Sequence, residues 1–442
     1  MSKKIRDYLF LVFIGLFVVL TVIFSLYASG YKFNLSWPLK LNKFLQKTGM
    51  LIVSTTPSGA TIYLNDKPLS TSSFSLWRKN YLTSDAKIKN LLPGDYTLSL
   101  KRSGYWPFEK KIRIDSGQTT FVENINLFRF NEPSLVTLTI PGELKISPNN
   151  RYLYLAQTKE IWNLKSQSVK TLPLETVTAG QWLSNDKLLA GGYIFNPEKT
   201  ADLDYTKIIG AEASHWFYEE ATGRLYYQNK NSLNRLEADS RTNTLLINGE
   251  NFLTYEPRSD HLFLVVSKEN RTILQDYNIK TQKVDSEREL PNVGLYQFVP
   301  DKQKFLSLYD SKNKTLYLFN PSDLKNSNET IKNIISWQWP SPEQLIYNNA
   351  WEIYSFDVRQ NRAALITRVS EEITKIIWHQ GSEYLIFSTA KSLNIVDLKN
   401  GTITTIFRAA KIADLALDEK NDLLYFWADI NNQKGIYKIL LQ

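Results

Sequence analysis

The 442-residue chain has no cysteine, only three histidines and only two methionines. Without thiols it has no thiolate nucleophile, Cys-ligated zinc, iron–sulfur cluster or disulfide, whatever its compartment. Imidazole sites have little to draw on. The sequence also lacks a GxSxG elbow, a GxxxxGK phosphate loop, a GxGxxG turn and an HExxH pair, so none of the short motifs that signal nucleophilic, nucleotide-dependent or zinc-dependent catalysis is present.

Hydrophobic residues make up 43% of the chain and charged residues 22%. That balance excludes wholesale disorder and a polytopic membrane protein. The length suits two to four domains, and the 24 Tyr, 22 Phe and 11 Trp favour sheet. Charge is unevenly placed. Residues 1–31 carry net +2, residues 32–130 carry +9 and residues 131–442 carry −2. The long C-terminal part therefore lacks the basic surface of a nucleic-acid binder, and we expect no nucleic-acid partner.

Tyr8 to Tyr31 is a run of 24 residues without a charge. As a helix it is about 36 Å long, enough to cross a hydrocarbon core of about 30 Å. We expect a retained transmembrane signal anchor over 8–31. A cleaved signal peptide is the rival, since Lys3, Lys4 and Arg6 form a basic start, but the apolar stretch exceeds the usual length and the Leu26-Tyr27-Ala28 site is not small at its first position. Lysines on both flanks make the positive-inside count ambiguous. The short N-terminal tail, residues 1–7, followed by a long domain resembles a signal anchor with its N-terminus in the cytoplasm and the remainder exported.

Residues 32–48 read as a juxtamembrane linker. From Met50 the chain becomes a series of short runs rich in Ile, Val, Thr, Tyr and Phe, broken at Pro57-Ser-Gly59, Pro93-Gly94 and Ser116-Gly117, which is a strand-and-turn pattern. Over 49–129 it resembles the PEGA domain, a small all-β module of bacterial and archaeal surface proteins. The resemblance is carried by Gly49-Met-Leu-Ile-Val-Ser with Pro57-Ser-Gly59-Ala60, by Leu92-Pro93-Gly94-Asp-Tyr96 and by Ser103-Gly104-Tyr105. Asn65-Asp66 departs from the usual Asp-Gly turn, and Phe74–Lys87 is a longer connection than usual. Turn geometry is the expected role of the motif residues. Within the insertion, Trp77, Arg78, Lys79 and Tyr81 are expected to form a packed loop, with the alternative that they are a candidate binding loop for carbohydrate, envelope polymer or lipid headgroups. The +9 beside a membrane suggests an anionic lipid or wall polymer as partner of residues 32–130.

Residues 131–442 repeat. Each unit opens on a bulky anchor, passes a polar turn and continues through apolar strands. The anchors Ile146, Trp182, Phe217, Tyr255, Phe298, Trp339, Trp378 and Leu417 are 36, 35, 38, 43, 41, 39 and 39 residues apart. Compact apolar runs such as YLYLA replace the i, i+3, i+4 spacing of helical repeats, and the period fits a β-propeller. The turn–strand pattern resembles WD-type and TolB-like propellers. Eight blades are favoured, with seven as the alternative. A strand from Leu135–Ile140 is expected to complete the last unit, pairing the two ends of the domain and removing an exposed edge.

Chemistry is harder to find. His215, His261 and His379 fall in different units, which disfavours a shared metal. Asp429–Asn432 reads as a β-turn because it lacks the Gly and distal Glu of an EF-hand loop. Glu219-Glu220 and Glu371-Glu372 are adjacent, and on a strand such neighbours face opposite ways. Trp182, Trp339 and Trp378 sit at anchor positions, where packing needs bulk.

We therefore expect an all-β protein apart from one N-terminal helix, without cofactor or metal, acting as a cell-envelope binding or scaffold protein whose propeller face meets a protein or envelope polymer. A propeller hydrolase or lyase acting on polysaccharide or peptide is the alternative. A reporter fused after Gln442 is expected to behave as extracytoplasmic, with the C-terminal domains open to protease added from outside; a cytoplasmic signal would invert the topology.

Overall fold

The computed structural model describes residues 3–33, 45–70, 80–140, 144–174, 180–199, 203–209, 213–220, 222–237, 241–249, 252–291, 294–299, 305–380, 382–399 and 401–441. They divide into two compact units, residues 1–131 and residues 132–441.

The first unit begins with a helix, Lys3–Ala28. Its Tyr8–Ala28 stretch is long and apolar enough to cross a membrane. The helix ends at Gly30, whose φ of 81° is open to glycine at no steric cost. The two ends of the segment read as a linker form strands: Tyr31–Phe33 pairs antiparallel with Leu45–Lys47. Thr48 then closes this hairpin onto the helix end, donating from both its N–H and its hydroxyl to the Gly30 carbonyl at 2.7 Å each.

Two small sheets follow. In the three-stranded sheet, Gly49–Thr56 lies between Ala86–Leu91, which is antiparallel to it, and Thr119–Asn126, which is parallel to it. In the four-stranded sheet the order is Lys67–Pro68, Thr61–Leu64, Gly94–Lys101, Phe108–Ile114. Apolar residues at every second position point to one side of each strand. Leu51, Val53, Ile62, Leu98, Ile112 and Val122 thereby meet in one core. Gly49 cannot carry a side chain, because a Cβ there would lie 2.5 Å from the Asp115 carbonyl oxygen.

Between 134 and 440 the described residues of the second unit form eight four-stranded antiparallel sheets, the architecture of a β-propeller. Seven are simple meanders. Their first strands are Lys145–Ile146, Gln181–Ser184, Ala213–Glu219, Phe252–Arg258, Tyr296–Phe298, Ser336–Ser341 and Ile373–Trp378. The eighth sheet runs Lys411–Leu417, Leu423–Ile430, Gln433–Leu440 and takes its outer strand, Ser134–Leu138, from the start of the domain. Every anchor read from the sequence lies on the first strand of its sheet.

The middle strands explain the apolar runs. Tyr384–Thr389 and Ser392–Asp397 are buried at every position, because neighbouring sheets cover both faces. Outer strands are more polar; Lys283–Glu289 is mostly exposed and charged, which discourages pairing with another chain. Apolar clusters join the first sheet to the second, the second to the third, and so on to the seventh. Phe407 of the seventh sheet meets Phe426 of the eighth at 5.8 Å. The eighth packs on the first through Trp427, Tyr425 and Ile436 against Leu144, Leu153 and Leu155.

Polar contacts follow the same circuit. Trp182 Nε1 donates to the Lys145 carbonyl at 2.8 Å, Gln181 Nε2 to the Trp216 carbonyl at 3.0 Å, and the Tyr255 hydroxyl to the His215 carbonyl. Phe298 N–H donates to Thr254 Oγ1 at 3.4 Å, the Tyr309 hydroxyl to the Ile334 carbonyl at 3.1 Å, and Ile376 N–H to Ser336 Oγ at 3.3 Å. Asp414 completes the circuit: its carboxylate pairs with Lys375 of the seventh sheet and accepts the Leu144 N–H that precedes the first.

The closing pair leaves no space at Gly435, where a Cβ would lie 2.4 Å from the Thr137 carbonyl oxygen. Gly435→Ala is expected to destabilise the propeller by about 1–3 kcal/mol, read as a lower urea midpoint and earlier proteolysis within 134–138. An unchanged midpoint would show that closure does not depend on this approach.

Candidate functional site

Trp77, Arg78 and Lys79 lie outside the described residues. Tyr81 is 47% exposed and forms a bridge with Ser70, while Leu82 N–H donates to the Leu69 carbonyl at 2.7 Å. These contacts close the base of the loop.

The PEGA-like residues act structurally. Gly59 has φ 90° and Ala60 is fully buried; their N–H groups both donate to Ser84 Oγ at 3.0 Å, and Thr55 Oγ1 lies 2.5 Å from the same oxygen. The Pro57 carbonyl accepts the Thr55 hydroxyl at 2.8 Å. Ser84 thus organises the turn, although no sequence signal marked it. After Pro93-Gly94, the Tyr96 hydroxyl donates to the Leu92 carbonyl at 2.8 Å, and burial pushes its pKa up. Gly104 has φ 78° and its carbonyl accepts Phe130 N–H at 2.9 Å. The Tyr105 ring carries the Arg102 and Arg129 guanidinium groups at 5.2 and 5.9 Å. Asn65 and Asp66 make the unusual turn with φ of 50° and 62°, and Asn65 Oδ1 accepts Thr97 N–H at 2.8 Å. Two left-handed residues suit a tight hairpin, and Asn and Asp tolerate that conformation.

In the propeller the candidate ionisable groups remain apart. His215 is on the third sheet, His261 on the fourth, and His379 follows the first strand of the seventh. His261 Nδ1 lies 2.7 Å from Asp276 Oδ1. With Asp285 they bring one ligand atom each within 4.8 Å of one another, the one such group among the described residues. Their partners are already present: the imidazole faces Asp276, and Asn278 Nδ2 donates to Asp285 at 3.1 Å. Glu219 accepts the Thr222 hydroxyl at 2.5 Å, and Glu371 accepts the Thr389 hydroxyl at 2.6 Å. Glu220, Glu371 and Glu372 lie off the strands, in turns, so their directions are not set by strand alternation. Asn431 and Asn432, with φ of 51° and 66°, form the two-residue turn expected at Asp429–Asn432. The anchor tryptophans Trp182, Trp339 and Trp378 each pack against an inter-sheet core.

The turn after the first strand is where polar side chains gather. Ser147 Oγ accepts Tyr152 N–H at 2.9 Å, and Asp418 Oδ1 accepts Leu423 N–H at 3.0 Å. His379 occupies the corresponding place, with Nδ1 2.8 Å from Ser382 Oγ and Nε2 donating to the Asn421 carbonyl at 3.1 Å. A pocket of about 240 Å³ beside this turn is lined by Asp418, Glu419 and Asp422 together with Arg151 and Lys165. Burial raises the Asp418 pKa. A second cavity, about 200 Å³, is lined chiefly by apolar groups, among them Leu144, Leu155, Trp427 and Ile436. Among the described residues its lining holds no carboxylate.

Residues 48–127 match the PEGA domain family. No curated protein matches the chain. Among solved structures, a chain in the mitotic checkpoint complex is 12% identical, with 71% of this chain and 93% of that one covered at a TM-score of 0.39. Kluyveromyces lactis Hsv2 is 11% identical over 49% of this chain and 71% of its own, with a TM-score of 0.36. Assignment of the propeller rests on its eight sheets, not on these likenesses.

His379 is 7% exposed, and burial lowers its pKa, opposed by the Asn421 carbonyl and by Asp422 and Asp418. The native state then binds this proton more weakly than the unfolded chain. Its stability contribution is complete above about pH 6.5 and is lost as the pH falls below that value towards the folded-state pKa. Asp418 has the opposite sign, stabilising most below about pH 3.9 and less as the pH rises through its raised value. Between pH 7.5 and 5 the Tm is expected to fall further in the parent protein than in His379→Asn; equal slopes would remove His379 as the source.

Proposed function

We propose that the protein is a membrane-tethered binding scaffold of a prokaryotic cell envelope. In this reading the apolar helix is the anchor, residues 49–129 form the membrane-proximal module, and the propeller presents its loops to a protein or envelope polymer on the extracytoplasmic side. The supporting observation is the use made of the polar side chains. His379, Asp418, Ser147, Glu219 and Glu371 are each engaged in holding a turn or a strand end, which gives each of them a structural role. Recognition then falls to shape and loop chemistry. The PEGA match and the helix support the envelope setting, and the insertion carrying Trp77, Arg78, Lys79 and Tyr81 is a second binding element.

Trp351 is suited to probing the propeller. It is 48% exposed in the turn between Gln344–Asn348 and Glu352–Asp357. A photo-crosslinking residue placed there, in native membranes, is expected to give a discrete adduct with an envelope polymer or protein, retained after stringent washing. Absence of any adduct from Trp351 and from Leu295, which is 67% exposed, would count against the scaffold. Turnover of an envelope polysaccharide or peptide, lost in Asp418→Asn, would favour the hydrolase instead.

A further inference from the structure

The three-stranded sheet of the first unit buries one face and leaves the other open. Along Gly49–Thr56, Leu51, Val53 and Thr55 are buried, while Met50, Ile52 and Ser54 are only partly covered. Ile52 is the register partner of Lys87 on one side and of Phe121 on the other. Register partners share a face, so Lys87, Ile52 and Phe121 form one row across the sheet. Phe121 is 62% exposed, and Lys87 and Lys89 are exposed beside it. An open sheet face ordinarily alternates towards polar residues; here an uncovered aromatic and two aliphatic positions are flanked by cations.

The same sheet receives the end of the apolar helix. Asn90 Nδ2, next to Lys89, donates to the Tyr27 hydroxyl at 3.3 Å, and Thr48, the residue before the central strand, is bonded twice to Gly30. Tyrosine at the end of a membrane span sits at headgroup level. A sheet tied to that tyrosine lies at the same depth, within reach of the lipid surface.

We infer that this face rests on the membrane, with Phe121, Ile52 and Met50 against the acyl boundary and Lys87 and Lys89 on anionic headgroups. The inference depends on the proposed span and selects lipid, not wall polymer, as the partner of the basic region. Apolar contact provides insertion, and the two ammonium groups make it sensitive to lipid charge. Glu123, on the same strand, is the opposing charge.

The chain's lack of cysteine allows a single reporter. Glu123→Cys and, as a control on the other sheet, Lys111→Cys are labelled with an environment-sensitive fluorophore in the full chain, reconstituted in nanodiscs with or without phosphatidylglycerol and with headgroup spin-labelled lipid. Quenching is expected at position 123 and not at 111. It should be stronger with the anionic lipid, and its apparent lipid affinity should weaken about fivefold per lysine in Lys87→Glu and Lys89→Glu. Phe121→Ser should reduce it further, with emission at 111 unchanged as the check on folding. Equal quenching at the two positions, or quenching indifferent to Phe121 and both lysines, overturns the inference. Co-migration with nanodiscs separates the two layers: a chain that fails to co-migrate removes the span itself, whereas one that co-migrates with an unquenched position 123 removes only the sheet contact.

Discussion

Closure of the propeller is the constraint on which the larger unit depends. Eight sheets packed face to face form a stable body only if the last finds the first, because an unclosed set leaves two apolar faces in water. Two devices achieve this. Ser134–Leu138 completes the sheet built by the final three strands, and Asp414 links the seventh sheet to the segment leading into the first. The strand pair joins Ser134 to Lys438, and Asp414 reaches Leu144, 270 positions away. Such distant pairings carry the largest loop-closure entropy in the domain, although that cost grows only slowly with length. The apolar contact of Trp427 and Tyr425 with Leu153 and Leu155 offsets it.

Aromatic abundance follows from this design. A sheet of four short strands has two faces and little thickness, so each inter-sheet layer needs broad side chains to fill it. Tyr152 with Trp182, Trp216 with Tyr227, and Tyr347 with Tyr354 fill such layers at centroid separations of 6.0, 5.4 and 5.3 Å. Large rings bury much area with few rotatable bonds. Their polar ends reach neighbouring carbonyls, as Trp182 and Tyr255 do, which adds direction to the packing. Polar side chains elsewhere are drawn to the turns for a related reason: short strands end often, and each end leaves backbone N–H groups that need partners.

The smaller unit solves a different problem. With one compact core between two sheets, it relies on turns fixed by individual residues: Ser84 holds the Pro57–Ala60 turn, and Asn65 holds the hairpin that lacks a glycine. Lys87 and Lys89 stand exposed on the open face of the three-stranded sheet, which is where the proposed lipid contact lies.

By itself the sequence determined the anchor-sized helix, the strand-and-turn character of 49–129, the period of the propeller and the position of its anchors. These features are local. Hydrophobic run length, alternation and turn residues act within a few positions, and the same physics places Ile146, Trp182 and Leu417 on first strands. The hairpin within 32–48, the gathering of Thr55, Gly59 and Ala60 on Ser84, the bracket at Asp414 and the row of Lys87, Ile52 and Phe121 were decided only by tertiary structure. Each depends on register or on contact between distant segments, and a serine or aspartate that will become a hub looks, along the chain, like any other. The histidines show the boundary most clearly: their separation into different units was legible, but that His379 closes a turn on Asn421 required the seventh and eighth sheets to be packed side by side.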